Sequence, residues 1–166
     1  FRAKKKGEMT SKFIERIMLA VTEVNECAIC SYAHTRRALE SGMTSEEIQG
    51  MLTGILDHGH DEEVAGVMFA QHYADTRGNP TGEAWERVVE VYGRSRAMGI
   101  LGAIRTIMMG NTYGIAFSSF FNRFRGRADP RSSLGYELGL ILSAVVVVPV
   151  AVVHAVVSGL VGKPMI

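Results

Sequence analysis

The chain has 166 residues, 47% of them hydrophobic, with 18 basic against 17 acidic side chains. That length supports a compact domain of ordinary size, and the near balance of charge argues against the basic surface that nucleic-acid binding needs. Only two cysteines are present, which excludes a disulfide scaffold and suits a reducing, cytoplasmic setting.

Phe1 to Glu8 is basic and lacks an apolar core, so no secretory signal is read there. From Met9 onward helical periodicity dominates, predicting helices near 9–24, 26–41, 45–57, 61–77, 82–92, 94–109 and 112–124, hence an all-α domain. In the first, Phe13, Ile14, Ile17, Met18, Val21 and Val24 form an apolar stripe, with Glu15 off its centre beside Arg16. Charged residues in that position are usually solvated. Asn25 is read as the N-cap of the second helix, with Glu26 an acid in its first turn and Ser41-Gly42 its stop.

Thr44-Ser45-Glu46-Glu47 has the hydroxyl and early acids of a helix start. His58-Gly59-His60-Asp61-Glu62-Glu63 reads as a helix end, a glycine turn and an acidic restart, in preference to a metal site. His72 and Tyr73 share a helix with Val64, Val67, Met68 and Phe69, which makes His72 a core-edge histidine first and a site-wall residue second. Gly78-Asn79-Pro80-Thr81-Gly82 is a turn by composition, and the Met98, Ile100, Leu101, Ile104, Ile107 stripe is core packing.

The chemistry concentrates in Cys27-Ala28-Ile29-Cys30-Ser31-Tyr32-Ala33-His34. On a helix the spacings i, i+3 and i, i+4 put both sulfurs and the imidazole on one face. Sulfurs near a helix N-terminus meet unsatisfied N–H groups that favour thiolate over thiol. A histidine in reach can accept the thiol proton, and a carboxylate can orient that histidine. Thiols at this spacing can also close on each other, one attacking and the other resolving the adduct. Two buried structural cysteines are the plain alternative. A zinc site of Cys27, Cys30, His34 and an outside ligand such as His72 is another, although the second ligand pair of a zinc finger is missing.

Taken together, Glu15-Arg16-Ile17-Met18-Leu19-Ala20-Val21, Asn25-Glu26-Cys27, Cys30, His34, Ala38-Leu39-Glu40-Ser41-Gly42 and Glu46-Glu47-Ile48 resemble the alkylhydroperoxidase D-like, or carboxymuconolactone decarboxylase, family. The resemblance covers roughly residues 11–75, with a weaker echo from Glu83-Ala84-Trp85-Glu86-Arg87 to Asn111. It implies catalytic roles for Cys30 as the peroxide-reactive thiol, Cys27 as its resolving partner, and His34 with Glu15 as the proton relay. It further implies a peroxide or disulfide substrate, an external thiol reductant, no bound cofactor, and a homo-oligomer, trimeric or hexameric. Ile29 departs from the tyrosine common at that position among peroxidase members. Lactone decarboxylases of the family typically lack the cysteine pair, which makes decarboxylation the lesser alternative. A further alternative is a non-catalytic oligomeric or membrane-tethered module whose cysteines are structural.

Residues 1–125 are thus expected to form an alkylhydroperoxidase D-like helical domain, and 126–166 a hydrophobic extension. Leu138 to Gly162 carries no formal charge, and Arg123, Arg125, Arg127 and Arg131 precede it. Its hydropathy meets the criterion for a membrane span, whereas Pro149, His154 and a valine run that could form a buried helix or strand stand against one, and burial between subunits would satisfy the same pattern.

Overall fold

The computed structural model describes residues 9–52, 61–130 and 132–161. They form six helices: α1 Ser11–Asn25, α2 Ala28–Glu40, α3 Ser45–Leu52, α4 Asp61–Asp75, α5 Gly82–Phe124 and α6 Leu134–Val161. No strand occurs among the described residues, and the fold is all-α with an apolar C-terminal helix. The last part of the expected 45–57 helix and the His58-Gly59-His60 turn lie outside the described residues. The chain divides into two compact units, Phe1–Thr112 and Tyr113–Ile166.

In the first unit α1 is the central element, packed against α4, α2 and α3. Thr10 caps it, its Oγ1 accepting from Phe13 N at 3.0 Å. Phe13, Ile17, Leu19, Ala20 and Val21 are fully buried, so the helix is covered well beyond the single stripe legible in the sequence. Each large apolar side chain among them contributes about 1.5–3 kcal/mol through burial. Close packing at Phe13 also dictates Gly66 on α4: a Cβ there would stand 2.8 Å from the Phe13 ring edge.

The α2–α3 corner follows its sequence. Gly42 takes a positive φ of 90°, and Met43 N donates to Ala38 O at 3.0 Å. Thr44 and Glu47 then form a reciprocal capping box, with Glu47 N donating to Thr44 Oγ1 (3.1 Å) and Thr44 N donating to Glu47 Oε2 (2.7 Å). The glycine-proline turn before α5 is present, and Thr81 caps that helix through Ala84 N. His72 Nε2 accepts from Thr81 N at 3.4 Å, so the histidine braces this turn.

Within α5 the expected break between residues 92 and 94 exists as a kink at Gly93, φ 71° and ψ 157°. The break expected around 109–112 does not exist, and helix continues to Phe124. Gly110 and Asn111 are weak helix formers, but Asn111 is buried and bonded to Thr22, and such packing overrides local propensity.

The second unit pairs the end of α5 with α6. Arg123 donates to both carboxylate oxygens of Glu137 (3.0 and 2.7 Å) and to Ser132 O (3.1 Å), while Glu137 is wholly buried. Tyr113 and Ser143 hydroxyls meet at 3.3 Å.

Candidate functional site

The junction of α1 and α2 carries the site, and one detail of it corrects the sequence reading. Asn25 is the last residue of α1, not the N-cap of α2, and Glu26 is the left-handed C-cap of α1 with φ 55°. Cys27 takes the N-cap place: its backbone is extended, its carbonyl accepts from Ser31 N at 2.8 Å, and α2 begins at Ala28. The sequence pattern missed this because Asn is the stronger cap former, while a single αL residue here ends one helix and starts the next within two positions. Cys30 falls in the first turn of α2, among its unsatisfied N–H groups.

Cys27 and Cys30 are joined as a disulfide, with Cα atoms 5.3 Å apart. Cys27 is 2% exposed and Cys30 8%, so Cys30 is the more accessible of the two. One turn further along α2, His34 Nδ1 lies 2.7 Å from Glu15 Oε2 of α1. Both side chains are largely buried, at 12% and 13% exposure. Glu15 is therefore not the solvated surface carboxylate its place beside the apolar stripe suggested. With Nδ1–H donating to the carboxylate, Nε2 is left as the ring's proton-accepting atom.

Arg16, the next residue of α1, holds that helix in place. It is buried, with Nη1 2.5 Å from Glu63 Oε2 on α4 and Nη2 2.5 Å from Glu47 Oε1 on α3. Lys12 adds a third contact, 3.0 Å from Glu47. Burial pushes the Glu47 carboxyl upward, but the Thr44 N–H and the Lys12 and Arg16 cations outweigh it and hold its pKa at about 2. Neighbouring residues of one helix thus face opposite duties, Glu15 toward the histidine and Arg16 toward the acids of α3 and α4.

Helix α5 supplies a wall that sequence reasoning had not assigned. Gly110 O lies 3.8 Å from Cys30 Sγ, Met108 Sδ accepts from Asn25 Nδ2 at 3.2 Å, and Asn111 Oδ1 accepts from Thr22 Oγ1 at 3.3 Å. Thr22 O in turn accepts from Cys27 N at 3.4 Å. Asn111 is 1% exposed and its Nδ2 has no hydrogen-bond partner among the described residues. A signal for it existed, since Ile100, Ile104, Ile107 and Asn111 recur at helical spacing, and Asn is the one polar residue on that apolar stripe. Ile29, in the usual tyrosine place, is 45% exposed and brings no hydroxyl. Among the described residues no group of three or more His, Cys, Asp or Glu could hold a metal ion, and the two sulfurs of the zinc alternative bond to each other.

No curated protein and no solved structure matches the chain significantly. Residues 1–71 match the model of the carboxymuconolactone decarboxylase family, and Glu15, Cys27, Cys30 and His34 all lie inside the matched stretch.

Proposed function

We propose that the protein is a thiol-dependent peroxidase or disulfide oxidoreductase of the alkylhydroperoxidase D-like type, working in a reducing, cytoplasmic setting. One observation carries this reading. The Cys27–Cys30 disulfide closes at the start of the helix that also presents His34, and that imidazole is gripped by Glu15. A structural cysteine pair has no use for a buried His–Glu couple one turn away.

In the reduced protein His34, oriented by Glu15, takes the Cys30 proton. The Cys30 thiolate attacks one oxygen of a hydroperoxide and the O–O bond breaks. The sulfur becomes a sulfenic acid, and the leaving alkoxide takes the proton to depart as an alcohol. The Cys27 thiol then attacks the Cys30 sulfur, forming the disulfide and releasing water. An external dithiol restores both thiols and leaves as its own disulfide. With a disulfide substrate, Cys30 attacks sulfur instead, and Cys27 displaces the thiol from the mixed disulfide. Greater exposure favours Cys30 as the attacking sulfur. Because Ile29 offers no hydroxyl relay, His34 carries the whole proton transfer.

The test is single turnover of the fully reduced protein with an alkyl hydroperoxide. The wild-type chain should lose two thiols per peroxide consumed. Cys30→Ser should consume none, and Cys27→Ser should react once and stop as a sulfenic acid that a dimedone probe captures. Full peroxide consumption by Cys30→Ser would overturn the assignment.

A further inference from the structure

We propose that α6 is a transmembrane anchor, and that the partner of the second unit is a lipid bilayer. The inference stands apart from the thiol chemistry. Among the described residues one helix is long and apolar enough to cross a membrane, over Leu134–Ser158, 25 residues. At 1.5 Å per residue that stretch is about 37 Å long, enough for a hydrocarbon core of about 30 Å with some tilt.

Length alone does not separate a span from a core helix, but exposure does. No residue of the most apolar 18-residue part of this stretch is buried. Val145, Val146, Val147 and Val148 are consecutive and 72%, 65%, 43% and 40% exposed. Steps of about 100° take those four side chains right round the axis, so the helix is bare and apolar on every side. A second copy of the chain would cover one stripe and leave the others in water. A bilayer covers the whole circumference.

The one acidic side chain of α6 lies at its start, while His154 stands exposed inside the span. Glu137, in its first turn, is sealed by Arg123, which removes a bare charge from the end that enters the membrane. Beyond it, from Leu138 to Gly162, there is no formal charge. Arg125 and Arg127 stand just before the helix, where cations meet anionic headgroups and keep that end cytoplasmic. Pro149 inside the helix is a common feature of spanning helices and a costly one in soluble ones.

The experiment uses the full chain reconstituted into vesicles of phosphatidylcholine and phosphatidylglycerol, floated on a density gradient and washed with sodium carbonate. The wild-type protein should float and resist the wash. Val146→Arg and, separately, Val148→Arg, about 200° apart round the helix, should each lower the carbonate-resistant fraction at least ~10-fold. Retained Cys27–Cys30 redox cycling would show that the variants are folded, and the wild-type result decides even if one is not. Release by carbonate would make the contact peripheral and overturn the proposal. So would a protein that stays in solution as a discrete oligomer, which marks a protein partner, or a carbonate-resistant fraction unchanged in both variants, which places the membrane contact elsewhere in the chain.

Discussion

Replacing Glu15 with Gln keeps the size of the side chain and one acceptor for His34 Nδ1–H but removes the charge. Glu15 Oε2 sits 2.7 Å from that nitrogen with both side chains largely buried. A hydrogen bond to a charged group contributes about 1.5–3 kcal/mol, and a neutral one about 0.5–1.5 kcal/mol. The difference, about 1.5 kcal/mol, falls on the imidazolium that forms when Cys30 gives up its proton, and so costs about tenfold in rate. Glu15→Ala loses the whole interaction and should cost about a hundredfold. Rapid-quench titration of remaining thiols after mixing with an alkyl hydroperoxide, from pH 6 to pH 9, measures both. The deficit should shrink as pH approaches about 8.5, where an ordinary cysteine ionises unaided. A Gln variant within about twofold of wild type, or a deficit constant with pH, would refute the relay and leave Glu15 a structural residue.

Arg16→Gln should destabilise the first unit by about 3–5 kcal/mol, because Glu63 and Glu47 lose a buried partner held by two short contacts; urea unfolding followed by circular dichroism measures it. Gly66→Ala should cost about 1–3 kcal/mol by driving a methyl against the Phe13 ring, seen as a lowered urea midpoint with unchanged slope. Glu47 is more acidic in the folded chain, at about 2 against an ordinary 4.5. Its contribution to stability is therefore complete above pH 4.5 and is lost as pH falls toward 2. Glu47→Gln should flatten the pH dependence of unfolding in that window and leave it unchanged above.

What was legible in the sequence is what depends on neighbours along the chain. The helices, the Gly42 and Gly78 turns, the Thr44–Glu47 box and the sulfur spacing are all short-range patterns. What was not legible depends on contacts between distant segments. Periodicity alone leaves Glu15 a solvated carboxylate beside the apolar stripe, with only the family resemblance pairing it with His34, and it assigns no partner to the adjacent Arg16. They become buried only once α3 and α4 bring Glu47 and Glu63 to the second and α2 brings His34 to the first. Likewise Gly110 and Asn111 read as a helix break because propensity is summed locally, whereas the bond from Thr22 reaches Asn111 across 89 positions. Asn25 failed as a cap for the opposite reason: two helix ends were compressed into one αL residue, and several caps competed for the same few positions.

The same geometry separates a working disulfide from a staple. Cys27 and Cys30 enclose a ring of only a few residues, and the chain-entropy relation gives a stabilisation of at most about 2 kcal/mol for so short a loop. Against a domain stability of about 5–15 kcal/mol that is a minor share. The scaffold is instead fixed by the apolar burial around α1 and the Arg16 cluster, neither of which involves sulfur. A thiol that must cycle needs this arrangement, since a fold that came apart on reduction would lose its site midway through each turnover. Urea unfolding with and without a phosphine reductant should therefore differ by no more than about 2 kcal/mol. A loss above about 4 kcal/mol, or unfolding on reduction, would make the pair structural and remove the reason for reading His34 and Glu15 as its proton relay.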